Sequence, residues 1–237
     1  MSSNLFVSYL RPVPSAQGSS AAETQRAVIA RHLGRHGRLV AEIVDRNLGD
    51  EGRPDLSAAL ALCRRHGATL LMAELGAWGD DPAFLRDLGH RLRRSSLRFA
   101  ALDRPEASEL TLGIMAAVAE AEERLGVVRT AETMARRRDF YARFTAERRR
   151  KAAAESGGPL ALGYGRPLSE SRGPGTARSR ERAEHVAPIL TEIRAAGAET
   201  LEQVANALNA LGIPAARGNR WYPMQVTRIE KRLAAVD

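Results

Sequence analysis

Phe6-Val7-Ser8-Tyr9-Leu10-Arg11 opens the chain with an apolar, β-prone run that ends on a cation. A polar stretch containing Gln17-Gly18 follows, and Glu23-Thr24-Gln25-Arg26 then leads an apolar-periodic segment through Val28, Ile29 and Leu33, the pattern of a strand feeding a helix. The alternation recurs downstream. Leu39-Val40-Ala41-Glu42-Ile43-Val44-Asp45 reads as a second strand, and Arg53-Pro54-Asp55-Leu56 as a turn entering a helix from Leu56 to about His66. Ala68-Thr69-Leu70-Leu71-Met72-Ala73 reads as a third strand and Leu97-Arg98-Phe99-Ala100-Ala101-Leu102 as a fourth. Strands and helices taken in turn predict an α/β domain with a mainly parallel sheet flanked by helices.

From about Ser108 the pattern changes. Leu110, Ile114, Val118, Ala121, Leu125 and Val128 fall at spacings of three and four and mark one face of a long helix. Residues 131–151 continue it without glycine or proline and concentrate charge. The net charge is +8, divided as +1 over residues 1–130, +5 over 131–151, zero over 152–177 and +2 over 178–237. The basic segment holds Arg136, Arg137, Arg138, Arg143, Arg148, Arg149, Arg150 and Lys151, with Phe140, Tyr141 and Phe144 among them. A helix of this kind can lie along phosphates and release counterions from a duplex. The alternatives are a solvated charged face or a basic amphipathic helix on an anionic membrane.

Residues 155–180 carry Ser156-Gly157-Gly158-Pro159, Gly163-Tyr164-Gly165-Arg166-Pro167 and Gly173-Pro174-Gly175, and read as a flexible linker. Arg166, between glycine and proline, has the setting of an arginine that enters a minor groove. The last segment, 181–237, reads as a separate all-α module. Glu184 to Ala196 offers Val186, Ile189, Leu190 and Ile193 as an apolar face, and Thr200-Leu201-Glu202-Gln203 has the form of a capping box opening a second helix through Val204 and Leu208. A third helix from about Pro223 turns Val226, Ile229 and Leu233 inward. Three short helices suit a helix-turn-helix module. If the third helix enters a major groove, Gln225, Thr227 and Arg228 are the base-reading candidates, with Arg217, Arg220 and Lys231 on phosphates.

The first strand, with Tyr9, Arg11 and Gln17, the Arg53-Pro54-Asp55-Leu56 turn, and the Ala116-Ala117-Val118-Ala119-Glu120 run followed by Arg129-Thr130 resemble the serine site-specific recombinases, the resolvase and invertase family. The Leu-Asn-x-x-Gly-Ile-Pro stretch from Leu208 to Pro214, with Arg217-Gly218 and Trp221, is similar to the C-terminal helix-turn-helix of many recombinase-like proteins. In that family a serine hydroxyl at the end of the first strand attacks a DNA phosphodiester. Two arginines after the third strand hold the scissile phosphate, and the long helix forms dimers and tracks the duplex. On that pattern Arg11, Gln17 and Arg53 survive, but Val13 stands where the serine should be. Glu74, Gly76, Ala77 and Asp80 replace the lysine, aspartate and both arginines of the phosphate clamp. Valine has no nucleophilic group, and carboxylates repel the charge that phosphoryl transfer must stabilise.

The resemblance therefore implies a DNA-binding protein with a degenerate active site: double-stranded DNA as partner, a homodimer or higher oligomer through the 108–130 helix, and an active recombinase relative as a further partner. Domains are expected at 1–130, with a basic helical extension at 131–154. Two other readings stay open: a recombinase using Ser15, or Ser8 on the strand, as nucleophile, and a dimeric interaction protein that binds no DNA. The one cysteine, Cys63, sits in an apolar run and excludes an internal disulfide. The five histidines are scattered, no metal or cofactor site is expected, and no signal segment or apolar run of about 18 residues is seen. A soluble cytoplasmic protein is the expectation.

Overall fold

A computed structural model describes residues 4–10, 20–34, 37–45, 53–75, 82–125, 130–154, 177–216 and 220–233. The chain divides into two compact units, residues 1–112 and 113–237.

The first unit is an α/β layer. Strands β1 (Asn4–Leu10), β2 (Gly37–Val44), β3 (Thr69–Met72) and β4 (Phe99–Ala101) form one sheet in the order β2-β1-β3-β4. Every pairing is parallel, with a register shift between Phe6 and Val7 where β1 meets β2. Parallel strands need crossovers, and helices α1 (Ser20–Leu33), α2 (Pro54–His66) and α3 (Pro82–Arg94) supply them. Both faces of the central strands are then covered, so β1 and β3 run as continuous apolar segments: Val7, Tyr9, Leu10, Leu70, Leu71 and Met72 are all buried. Edge strand β2 keeps partly exposed residues. The α3 segment contributes Phe84, Leu85, Leu88 and Leu92 to the core, a helix that the strand pattern alone had not singled out.

The second unit is all-α: α4 (Leu112–Leu125), α5 (Ala131–Ala154), α6 (Ala177–Ala195), α7 (Leu201–Ala210) and α8 (Pro223–Leu233). Two sequence expectations change here. The long helix is not continuous, because Thr130 is not helical and its hydroxyl accepts from the Thr133 backbone N–H at 3.1 Å, a side-chain cap that starts α5 afresh. A salt bridge joins Arg137 of α5 to Glu122 of α4, and fifteen residues would span about 22 Å in a straight helix. The chain must therefore bend between the two helices. Second, α6 begins at Ala177, so the last residues of the expected linker are helical. Beyond Gly175 the sequence Ala-Arg-Ser-Arg-Glu-Arg holds no breaker and helix propensity carries it. The remaining linker, 155–176, lies outside the described residues.

The capping box is present as read: Thr200 Oγ1 accepts from Gln203 N–H and Gln203 Oε1 accepts from Thr200 N–H, each at 3.1 Å. Trp221 anchors the segment between α7 and α8. Its indole donates to the Ile213 carbonyl at 2.8 Å, while the Asn209 amide bonds both its N–H and its carbonyl.

Candidate functional site

In parallel α/β sheets the carboxyl ends of the strands carry function, and here Asp45, Asp55 and Arg53 lie close to the end of β1. The Asp45 N–H donates to the Leu10 carbonyl at 2.8 Å and brings its carboxylate beside β1. Burial, then the charge and hydrogen bonding of Asp45, hold the Tyr9 hydroxyl far above its ordinary range; Asp55 adds to the shift and Arg53 opposes it. The phenol form of Tyr9 is thereby favoured. Ser8, which pairs in register with Glu42 and Leu71, is wholly buried and its hydroxyl has no hydrogen-bond partner. Burial of this kind leaves the Ser8 hydroxyl away from the surface of the described residues.

Arg53 sits just before Pro54 with φ 46° and ψ 72°, in the left-handed region, and N-caps α2. Its carbonyl accepts from Ser57 N–H and Ser57 Oγ, and its guanidinium lies 4.6 Å from the centroid of the buried Phe84 ring. That packing gives Arg53 a structural role whether or not a phosphate is bound. After β3, Glu74 is exposed and the Leu75 N–H donates to Asp103 Oδ1 at 2.7 Å. Arg11, Val13, Gln17, Gly76, Ala77 and Asp80, and the alternative nucleophile Ser15, lie outside the described residues. Among the described residues no group of three histidine, cysteine or carboxylate side chains could hold a metal. Cys63 is buried and its thiol is pushed up to about 12 by desolvation, which makes it inert.

The basic helix is two-sided. Thr133, Arg137, Tyr141, Phe144 and Arg148 recur every three or four residues and form its buried stripe. Arg137 Nε donates to the Leu211 carbonyl at 2.8 Å, in addition to the Glu122 ion pair. Arg148 lies near Glu199 at 3.8 Å and stacks on Phe144, and Lys151 meets Glu199 at 2.7 Å. These cations tie α5 to α4 and to the residues just before and just after α7. The outer face holds Arg136, Arg138, Arg143, Arg149 and Arg150, all exposed, beside Glu132, Asp139 and Glu147. Sequence reasoning could not sort these cations, because the partners of Arg137 lie 15 and 74 residues away and that of Lys151 48 residues away. Leu110, Ile114, Val118 and Ala121, the expected apolar face of the 108–130 helix, are buried.

On α8, Val226 and Ile229 face inward as expected. Gln225 and Thr227 are only partly exposed and are engaged locally: Gln225 Oε1 accepts from Tyr222 N–H at 2.9 Å and Thr227 Oγ1 donates to the Pro223 carbonyl at 3.2 Å. Arg220, Arg228 and Lys231 are exposed, whereas Arg166 and Arg217 lie outside the described residues. Tyr222 and Met224, which the sequence reading passed over, are the most exposed large apolar side chains among the described residues.

Among the described residues no helix is long and apolar enough to cross a membrane. No curated protein matches the chain. The family model for "Resolvase, N terminal domain" matches residues 6–139, more than half of the sequence.

Proposed function

The chain belongs to the resolvase family through its N-terminal domain, and from that premise we propose that it is a duplex-DNA-binding member that has lost strand cleavage. One observation carries the proposal: Val13, Gly76, Ala77 and Asp80 occupy the positions where the family pattern places the nucleophile and the phosphate clamp. The family's reaction needs a hydroxyl to form the phosphoserine bond and fixed cations to stabilise the charge that develops. This chain supplies neither at those positions. The described surroundings agree, since Asp45, Asp55 and Glu74 flank the strand ends and Arg53 is stacked on Phe84.

What remains is a binding surface. Arg136, Arg138, Arg143, Arg149 and Arg150 on the outer face of α5 and Arg220, Arg228 and Lys231 at α8 are assigned to DNA, and α6 to α8 to a helix-turn-helix role. Arg137, Arg148 and Lys151 are reassigned from phosphate contacts to holding the second unit together.

Retardation of a duplex across a range of salt tests this. Neutralising Z phosphates gives a slope of log affinity against log salt near −0.9Z; with up to eight side chains assigned to phosphates or bases, a slope of about −4 to −7 is expected. Absence of retardation at low salt would instead assign the scaffold to a protein partner.

A further inference from the structure

The tip of α8 presents a surface that its packing does not use. Tyr222 is 57% and Met224 66% exposed, next to a module that buries Trp221, Val226 and Ile229 almost completely. Met224, Arg228 and Lys231 follow at i, i+4 and i+7 and form one outward stripe. Arg220 joins it, its guanidinium 5.9 Å from the Tyr222 ring centroid. The single carboxylate of α8, Glu230, is turned inward and meets Arg194 at 2.8 Å. The outward stripe therefore combines two apolar groups with cations and holds no carboxylate of its own helix.

We infer that Tyr222 and Met224 read thymine methyl groups in a DNA major groove, with Arg228 reaching a base edge beside them and Arg220 and Lys231 on the flanking phosphates. This rests on the DNA-binding reading above and specifies which residues discriminate sequence. Thymine is the one base that offers a methyl group in that groove, and apolar side chains select it there, while arginine pairs with the O6 and N7 of guanine. An α-helix fits a groove about 12 Å wide, and the N-terminal end of a recognition helix is the part that meets base edges. Tyr222 and Met224 stand at that end. The charge of the stripe suits phosphates on both sides, and two apolar side chains are too few to seat a helix in a lipid surface. Gln225 and Thr227 act as positioning residues: the Gln225 carbonyl caps the backbone at Tyr222 and the Thr227 hydroxyl bonds the Pro223 carbonyl, so each fixes the start of α8.

The test uses the full chain. Bound duplexes are selected from a random pool, and affinity is then measured on the selected site with each thymine replaced in turn by deoxyuridine, which removes only the methyl. Wild-type protein is expected to lose about five- to tenfold at one or two positions. Met224→Ala and Tyr222→Ala should bind the thymine duplex more weakly and no longer distinguish it from the deoxyuridine duplex. Both side chains are exposed, and unchanged far-ultraviolet circular dichroism would show that the variants are folded. Gln225→Ala should weaken both duplexes equally. Duplex binding with no methyl sensitivity in the wild type, or sensitivity that persists in both alanine variants, overturns this inference and leaves the DNA-binding reading standing. Failure of the wild type to retard any duplex overturns both.

Discussion

Replacing Arg137 and Glu122, singly and together, measures whether the chain bends between α4 and α5 so as to bring the two side chains together. The two side chains are 6% and 8% exposed and form a salt bridge, and Arg137 also donates to the Leu211 carbonyl. Removing one member of a buried ion pair leaves the other charged in a low-dielectric setting, at about 3–5 kcal/mol. The lost bond to Leu211 costs roughly 1 kcal/mol more. Arg137→Met is expected to destabilise the second unit by about 4 kcal/mol and Glu122→Leu by about 3 kcal/mol. The double variant buries no charge and should lie within about 2 kcal/mol of wild type. Equilibrium urea denaturation followed by helical circular dichroism reads these differences, and with a slope of 1–3 kcal/mol per molar a 4 kcal/mol change moves the midpoint by about 2 M. The coupling energy of the cycle should be several kcal/mol. Along one straight helix the sites would stand about 22 Å apart and their effects would add. Additivity within about 0.5 kcal/mol would refute the bend and the ion pair it permits.

Three further outcomes follow from the same structure. Trp221→Ala removes a buried indole and its bond to Ile213 and should cost about 3–5 kcal/mol, measured by thermal or urea unfolding. Cys63, with its thiol raised to about 12, should resist alkylation by iodoacetamide at pH 8 in the native protein and react once urea unfolds it, which mass spectrometry would follow. The Lys151 hydrogen bond and charge hold the Glu199 carboxyl below its ordinary value of 4.5. A depressed carboxylate contributes stability above its unfolded pKa and loses it as pH falls through the folded value, so Lys151→Met should raise the Glu199 titration midpoint observed by carboxyl NMR.

The sheet was legible because parallel strands buried on both faces leave continuous apolar runs, as at Val7 to Leu10 and Leu70 to Met72. The Thr200 capping box and the inner face of α8 were legible for a similar reason, since both are local patterns. Helix α3 leaves a weak sequence signal because Arg86, Arg91, Arg93, Arg94 and Gly89 dilute the periodic Phe84, Leu85, Leu88 and Leu92. The break before α5 had a signal in Gly126 and in Thr130 three residues before Thr133, outweighed by the long apolar face that precedes it. The division of the arginines was not legible, because composition counts Arg137 and Arg148 with Arg136 and Arg149 while long-range partners bury the first two. At α8 the reverse happened. Gln225 and Thr227 have the chemistry of base readers, but local hydrogen bonds engage them, and exposure passes to Tyr222 and Met224.

The claim that the protein binds duplex DNA without cutting it meets its most direct test on supercoiled plasmid. Purified full-length protein is incubated with the plasmid at several salt concentrations, and half of each sample is denatured in detergent before electrophoresis. The account predicts retardation that fades as salt rises, with no nicked or linear product and no covalent protein–DNA adduct after denaturation. A phosphoserine-linked adduct abolished by Ser15→Ala would contradict it.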